Sequence, residues 1–114
     1  VFSPDEALAG GLVRSIHSPD NLLIEAKNIA REIIENTSSI SVSLTRQMLW
    51  KMLGADHPME AHKIDSRFIY ELGKGNDAKE GVDSFLKKRP PNFPNKVSKD
   101  MPEYYPWWDE KKFS

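Results

Sequence analysis

No cysteine occurs anywhere in the chain, which excludes a disulfide scaffold and any thiolate metal site and fits the reducing cytoplasm. An excess of one charge is missing too. Sixteen basic side chains stand against 17 acidic ones, a formal net charge of −1. That balance gives no electrostatic reason to expect nucleic acid or an anionic membrane as a partner. Long apolar runs are also absent. Nothing approaches the ~20 residues needed to span a bilayer, and no series of charged, apolar and small residues opens the chain as a leader would. What remains is 114 residues, 39% of them hydrophobic, enough for one domain with a modest core.

The periodicity is helical almost throughout. Ser3, Pro4 and Glu6 form a capping-box start for a first short helix that ends at Gly10-Gly11. Residues 12–16 suggest a brief extended segment. A second helix starts at Ser18-Pro19-Asp20 and runs to about Ile34, with Leu22, Ala26, Ile29, Ala30 and Ile33 on one stripe. Cap chemistry at 36–39 begins a third helix reaching about Leu53, where Ile40, Leu44, Met48 and Met52 recur every four residues. Val42, Leu49, Trp50 and Leu53 widen its apolar arc, so burial on more than one side is expected. A fourth helix follows from His57-Pro58 to about Leu72, carrying Ala61, Ile64, Phe68, Ile69 and Leu72. Gly73-Lys74-Gly75 reads as a helix-breaking turn. Asp77 is the expected cap of a fifth helix, with Glu80 three residues on and Ala78, Val82, Phe85 and Leu86 facing inward. From residue 89 prolines and aromatics dominate, including Pro90, Pro91, Tyr104, Tyr105, Trp107 and Trp108. That composition predicts an extended path docked on the domain or on a neighbouring subunit. The fold expected is all-α: four to five short helices over residues 1–88, then a Pro/aromatic tail over 89–114.

Chemistry-bearing motifs are sparse. His57 and His62 are five apart and lack the i, i+4 spacing of a helical zinc pair, so no metal ligand is assigned. No serine sits in a nucleophile elbow. The run Lys87-Lys88-Arg89 at the end of the fifth helix has two readings: complementing the helix dipole, or binding an anion.

Two stretches read together carry a resemblance. The segment Asp5-Glu6-Ala7-Leu8-Ala9-Gly10-Gly11-Leu12-Val13 resembles the "EAL-x-x-GLV" element of the crotonase superfamily, the enoyl-CoA hydratases and isomerases. Some seventy residues on, the stretch from Asp77 through Glu80-Gly81, Phe85, Lys87-Lys88-Arg89, Pro91 and Phe93 is similar to the closing signature of that family. Leu22, Ala26 and Ile29-Ala30 resemble its "L-x-x-A-x-x-I-A" helix. The likeness covers about residues 4–93.

The resemblance implies the carboxy-terminal helical part of a crotonase-like protein. The family's amino-terminal core carries two backbone N–H donors that hold the thioester enolate oxygen, and carboxylates that move a proton. No residue here matches those elements, so no catalytic residue is named. The sequence is accordingly expected to be a piece of a longer enzyme acting on acyl-CoA thioesters, with no cofactor beyond the coenzyme A of its substrate. By the same resemblance, Lys88 falls where members place a lysine near the coenzyme A nucleotide. Phe68 and Ile69 fall where an aromatic packs on adenine, Ile69 at the aligned position. Lys87 replaces the usual glutamate. Expected partners are the missing amino-terminal core, acyl-CoA, and further copies of the chain as a dimer or trimer through the third helix. The competing reading is a non-catalytic helical module that binds a protein partner.

Overall fold

A computed structural model describes residues 1–110 and 112. Its helices are α1 (Pro4–Ala9), α2 (Pro19–Asn36), α3 (Ser39–Met52), α4 (Pro58–Leu72) and α5 (Asn76–Lys87). No strand is present among the described residues. The last part of the expected tail, at 111, 113 and 114, lies outside them. The chain divides into two compact units, residues 1–34 and 35–114.

In the first unit, the Ser3 hydroxyl accepts from the Glu6 N–H at 3.2 Å and the Glu6 carboxylate accepts from the Ser3 N–H at 2.7 Å. The capping box is complete. Helix α1 then closes through a Schellman turn. The Leu12 N–H reaches the Ala7 carbonyl at 2.8 Å and the Gly11 N–H reaches Leu8 at 3.1 Å. Gly11 has φ +72°, a conformation that side chains with a β-carbon avoid. Residues 12–16 are irregular rather than paired as a strand. Helix α2 forms as its period requires, yet none of its residues is buried.

The second unit is built around α3 and α4, which pack together. Ile40 and Leu44, each 1% exposed, join Phe68 at 5% to make its core. The four-residue interval selects the right line: Met48 is half-buried on the same cluster, as are Ile64 and Leu72 from α4. The wider arc of α3 is not covered. Leu49, Trp50 and Leu53 are all more than two-thirds exposed, because α4 and the tail meet only the Ile40/Leu44 side. The tail supplies the remaining wall. Tyr104 stacks on Phe68 with ring centroids 5.4 Å apart, and Trp107 meets the same ring edge-on at 5.1 Å.

Helix α5 departs from expectation in two ways. Its cap is Gly75, which makes no side-chain bond. Asp77 is not a cap but a buried bridge. Its carboxylate accepts from the Ser38 hydroxyl and from the Asn95 N–H at 3.0 Å. Ser38 also caps α3 by accepting from the Ser41 N–H, so one carboxylate ties α3, α5 and the tail together. The covered face of α5 is therefore the one bearing Asp77 and Ser84. Val82, Phe85 and Leu86, expected to face inward, are 61%, 70% and 70% exposed. The returning tail lies over this small-residue face, the Phe93 ring standing 3.7 Å from where a β-carbon at Gly81 would be, an ordinary contact distance.

Candidate functional site

The basic run closing α5 is organised by Arg89. Its guanidinium donates to both carboxylate oxygens of Glu80 at 2.6 and 2.7 Å, to Asp83 at 2.7 Å, and to the Pro90 carbonyl at 3.1 Å. Such a fork is the strong form of a charge-assisted contact. Glu80 also accepts from the Asn92 N–H at 2.6 Å. The hydrogen bonds from Arg89, then that from Asn92, pull the Glu80 carboxyl from its ordinary 4.5 to about 2. Asp83 is lowered as well, by its bonds to Lys87 and then Arg89, and Arg89 is raised by the same two carboxylates. Lys87 pairs with Asp83 at 2.7 Å.

Two of the three cations in the run are thus neutralised from within. Lys88 has no ion-pair partner among the described residues. It occupies the left-handed position that ends the helix, at φ 52° and ψ 40°. The Lys88 N–H reaches the Phe85 carbonyl and the Arg89 N–H reaches Ser84 at 3.1 Å, a second Schellman turn with a lysine where glycine is favoured. Its ammonium lies 4.1 Å from the centre of the exposed Phe85 ring. Within the run, then, Lys87 and Arg89 are occupied by carboxylates, and Lys88 is the exposed cation without an ion pair among the described residues.

Phe68 and Ile69 lie elsewhere. Both line a cavity of about 980 Å³ between α3, α4 and the tail, and Lys88 does not. Phe68 is enclosed by Tyr104 and Trp107, whereas the next side chain, Ile69, is 66% exposed. The cavity floor is apolar, with Ile40, Leu44 and Met48. Its polar lining includes Asp65, Glu71, Asp77, Asp100 and Glu103, against Arg67 as the single cation among the described residues. The Arg67 guanidinium is 3.9 Å from the Tyr104 ring centre. Burial raises the Tyr104 phenol above its usual 10. A lining so rich in carboxylates repels phosphates, so the two groups of candidates belong to surfaces of opposite character.

Two of the three histidines have local duties. His57 caps α4, its Nδ1 accepting from the Met59 N–H at 3.0 Å, and His17 pairs with Ser15 at 2.6 Å. Gly73 and Gly75 cap the facing ends of α4 and α5. A β-carbon at Gly73 would come within 2.8 Å of the Ile69 carbonyl. The sequence reading missed the Glu80–Arg89 clasp, although Glu80 and Arg89 both belong to the quoted signature.

Comparison with known proteins sets these features in context. The sequence model of the family described as Enoyl-CoA hydratase/isomerase matches residues 1–96. An enoyl-CoA hydratase of Alternaria alternata is 35% identical over 94 residues, which cover 82% of this chain and 31% of that protein. A putative enoyl-CoA hydratase of Thermus thermophilus is 36% identical over 90 residues, covering 77% of this chain and 34% of the relative. A solved probable enoyl-CoA hydratase/isomerase from Mycobacterium abscessus superposes with a TM-score of 0.73 at 26% identity, over 83% of this chain and 37% of that one. The chain thus spans about a third of the length of the relatives it matches.

Proposed function

The chain belongs to the enoyl-CoA hydratase/isomerase family, and from that premise we propose that it serves as the carboxy-terminal helical part of an enzyme acting on acyl-CoA thioesters. The observation that carries the reading is the family match over residues 1–96 in a chain that covers about a third of its relatives. On this reading the partner is an amino-terminal core, which supplies the oxyanion donors and the carboxylates. The chemistry needs no redox cofactor or metal, because the thioester itself acidifies the carbon and the donors hold the enolate oxygen.

This part contributes a wall of the coenzyme A site. Lys88 is the contact for a phosphate. What supports it is that its two basic neighbours are already paired and its own ammonium is accessible. Ile69 offers the base an exposed apolar surface apart from Lys88, while Phe68 is enclosed by Tyr104 and Trp107. The second contribution is packing against other copies of the chain or against the core. What supports that is the uncovered apolar arc of α3, with Leu49, Trp50 and Leu53 in solvent, an exposure that in folded proteins marks interaction sites.

The test is a turnover assay. The purified 114-residue chain on crotonyl-CoA and longer enoyl-CoA thioesters is expected to show nothing above background, since it lacks the donors that dominate transition-state stabilisation. Turnover proportional to chain concentration overturns the reading.

A further inference from the structure

The geometry points to Arg89 as a positioning residue for Lys88: by clasping Glu80 and Asp83 it holds residue 88 in its left-handed turn and leaves Lys88 as the one cation of the run that an anionic ligand meets. This rests on Lys88 being the phosphate contact proposed above.

Three observations carry it. First, Lys88 is the only non-glycine residue with positive φ among the described residues, and a side chain adopts that conformation only where its surroundings fix it. The fixing elements flank it. Before it lies the last turn of α5. After it, Arg89 is anchored through its backbone N–H to Ser84 and through its guanidinium to Glu80 and Asp83. Second, the anchorage continues past Arg89, since the Asn92 N–H donates to the same Glu80 carboxylate. The chain on the far side of Lys88 therefore cannot swing without breaking the fork. Third, the fork consumes the donors of Arg89. A guanidinium already donating to two carboxylates and a carbonyl has little left for a ligand, and Lys87 is engaged by Asp83. The run therefore presents one unpaired ammonium, on a side chain rooted in a fixed backbone turn.

The test is calorimetric titration of free coenzyme A into the intact chain and into Lys88→Ala, Arg89→Ala, Arg89→Lys and the Lys88→Ala/Arg89→Ala double variant, with thermal melts run in parallel. Lys88→Ala is expected to weaken binding about tenfold, the loss of one charge-assisted phosphate contact. Arg89→Ala is expected to weaken it by a similar factor, and the double variant no further, because Arg89 acts only through Lys88. Arg89→Lys keeps the charge but cannot close on both Glu80 oxygens and Asp83, so it should fail to restore affinity. If Lys88→Ala weakens binding while Arg89→Ala does not, the positioning role is wrong. It is equally wrong if the two losses multiply or if Arg89→Lys binds like the parent chain, since Arg89 then meets the ligand directly. If Lys88→Ala binds as tightly as the parent, or the parent binds no coenzyme A, the underlying assignment of Lys88 fails instead.

Discussion

Truncating Phe68 to alanine removes the one ring on which both halves of the second core depend. Phe68 is 5% exposed and touches Ile40 and Leu44 on one side, Tyr104 and Trp107 on the other. Core Phe→Ala substitutions cost about 3–5 kcal/mol, more where the walls cannot close in. Here two walls are fixed: Ile40 and Leu44 are 1% exposed on a helix capped by Ser38. The stacked and edge-on ring contacts each add roughly 0.5–1.5 kcal/mol that alanine forfeits. A loss of about 4 kcal/mol is therefore expected, against a total of roughly 5–15 kcal/mol for a small domain. With a urea slope of about 1.5 kcal/mol/M, the midpoint should fall by roughly 2–3 M. Far-UV ellipticity and tryptophan fluorescence should move together, since Trp107 reports the same contact. Combining the change with Tyr104→Ala should give a coupling of about 0.5–1.5 kcal/mol. A midpoint shift under ~0.5 M in urea at that slope, or strict additivity with Tyr104→Ala, would refute the claim that the tail seals this core.

Three further outcomes are expected. Ser38→Ala removes the α3 cap and the donor to buried Asp77, together costing about 2–3 kcal/mol; a thermal midpoint within ~2 °C of the parent, well under the several degrees per kcal/mol of a small domain, would contradict it. Glu80 has its carboxyl held below the unfolded value, at about 2 against 4.5, so its clasp stabilises the fold above pH 4.5 and is lost as pH falls through 2. The stability of Glu80→Gln should thus be flatter than the parent across that interval, and parallel acid titrations would show the clasp to be inert. Finally, the exposed arc of α3 predicts a dimer or trimer at ~100 µM, a concentration suited to weak association. Light scattering behind size exclusion should find it, and Trp50→Glu should dissolve it; a monodisperse 13.0 kDa species would count against self-association.

The helices were legible because their signals are local. Ser3 with Glu6, and Ile40 with Leu44 and Met48, act within a turn or two of themselves, and the structure uses them as read. The direction in which α5 faces was not legible. Its Asp-x-x-Glu start has the form of a capping box, but Asp77 meets a hydroxyl 39 residues away and Glu80 an arginine nine residues on. Those partners outweigh the local cap and turn Val82, Phe85 and Leu86 outward. The site shows the same division. A basic run could be seen in the sequence, but which of its members is paired depends on where the tail returns. The separation of Phe68 and Ile69 from Lys88 likewise needs three dimensions, since a signature lists residues along a line.

The returning tail also sets how this all-α unit must fold. Simple helical bundles form quickly because most of their contacts join neighbours in sequence. Here the Ser39 hydroxyl finds the Asn95 carbonyl across 56 residues, and Ser38 reaches Asp77 across 39. These long loops must close, at an entropic cost that grows with their length, before Tyr104 and Trp107 shield the Phe68 ring. Kinetically, then, the second unit keeps the mostly local contacts of a helical protein and adds a few long-range ties, so its helices are expected early and its core stays open until the last segment docks.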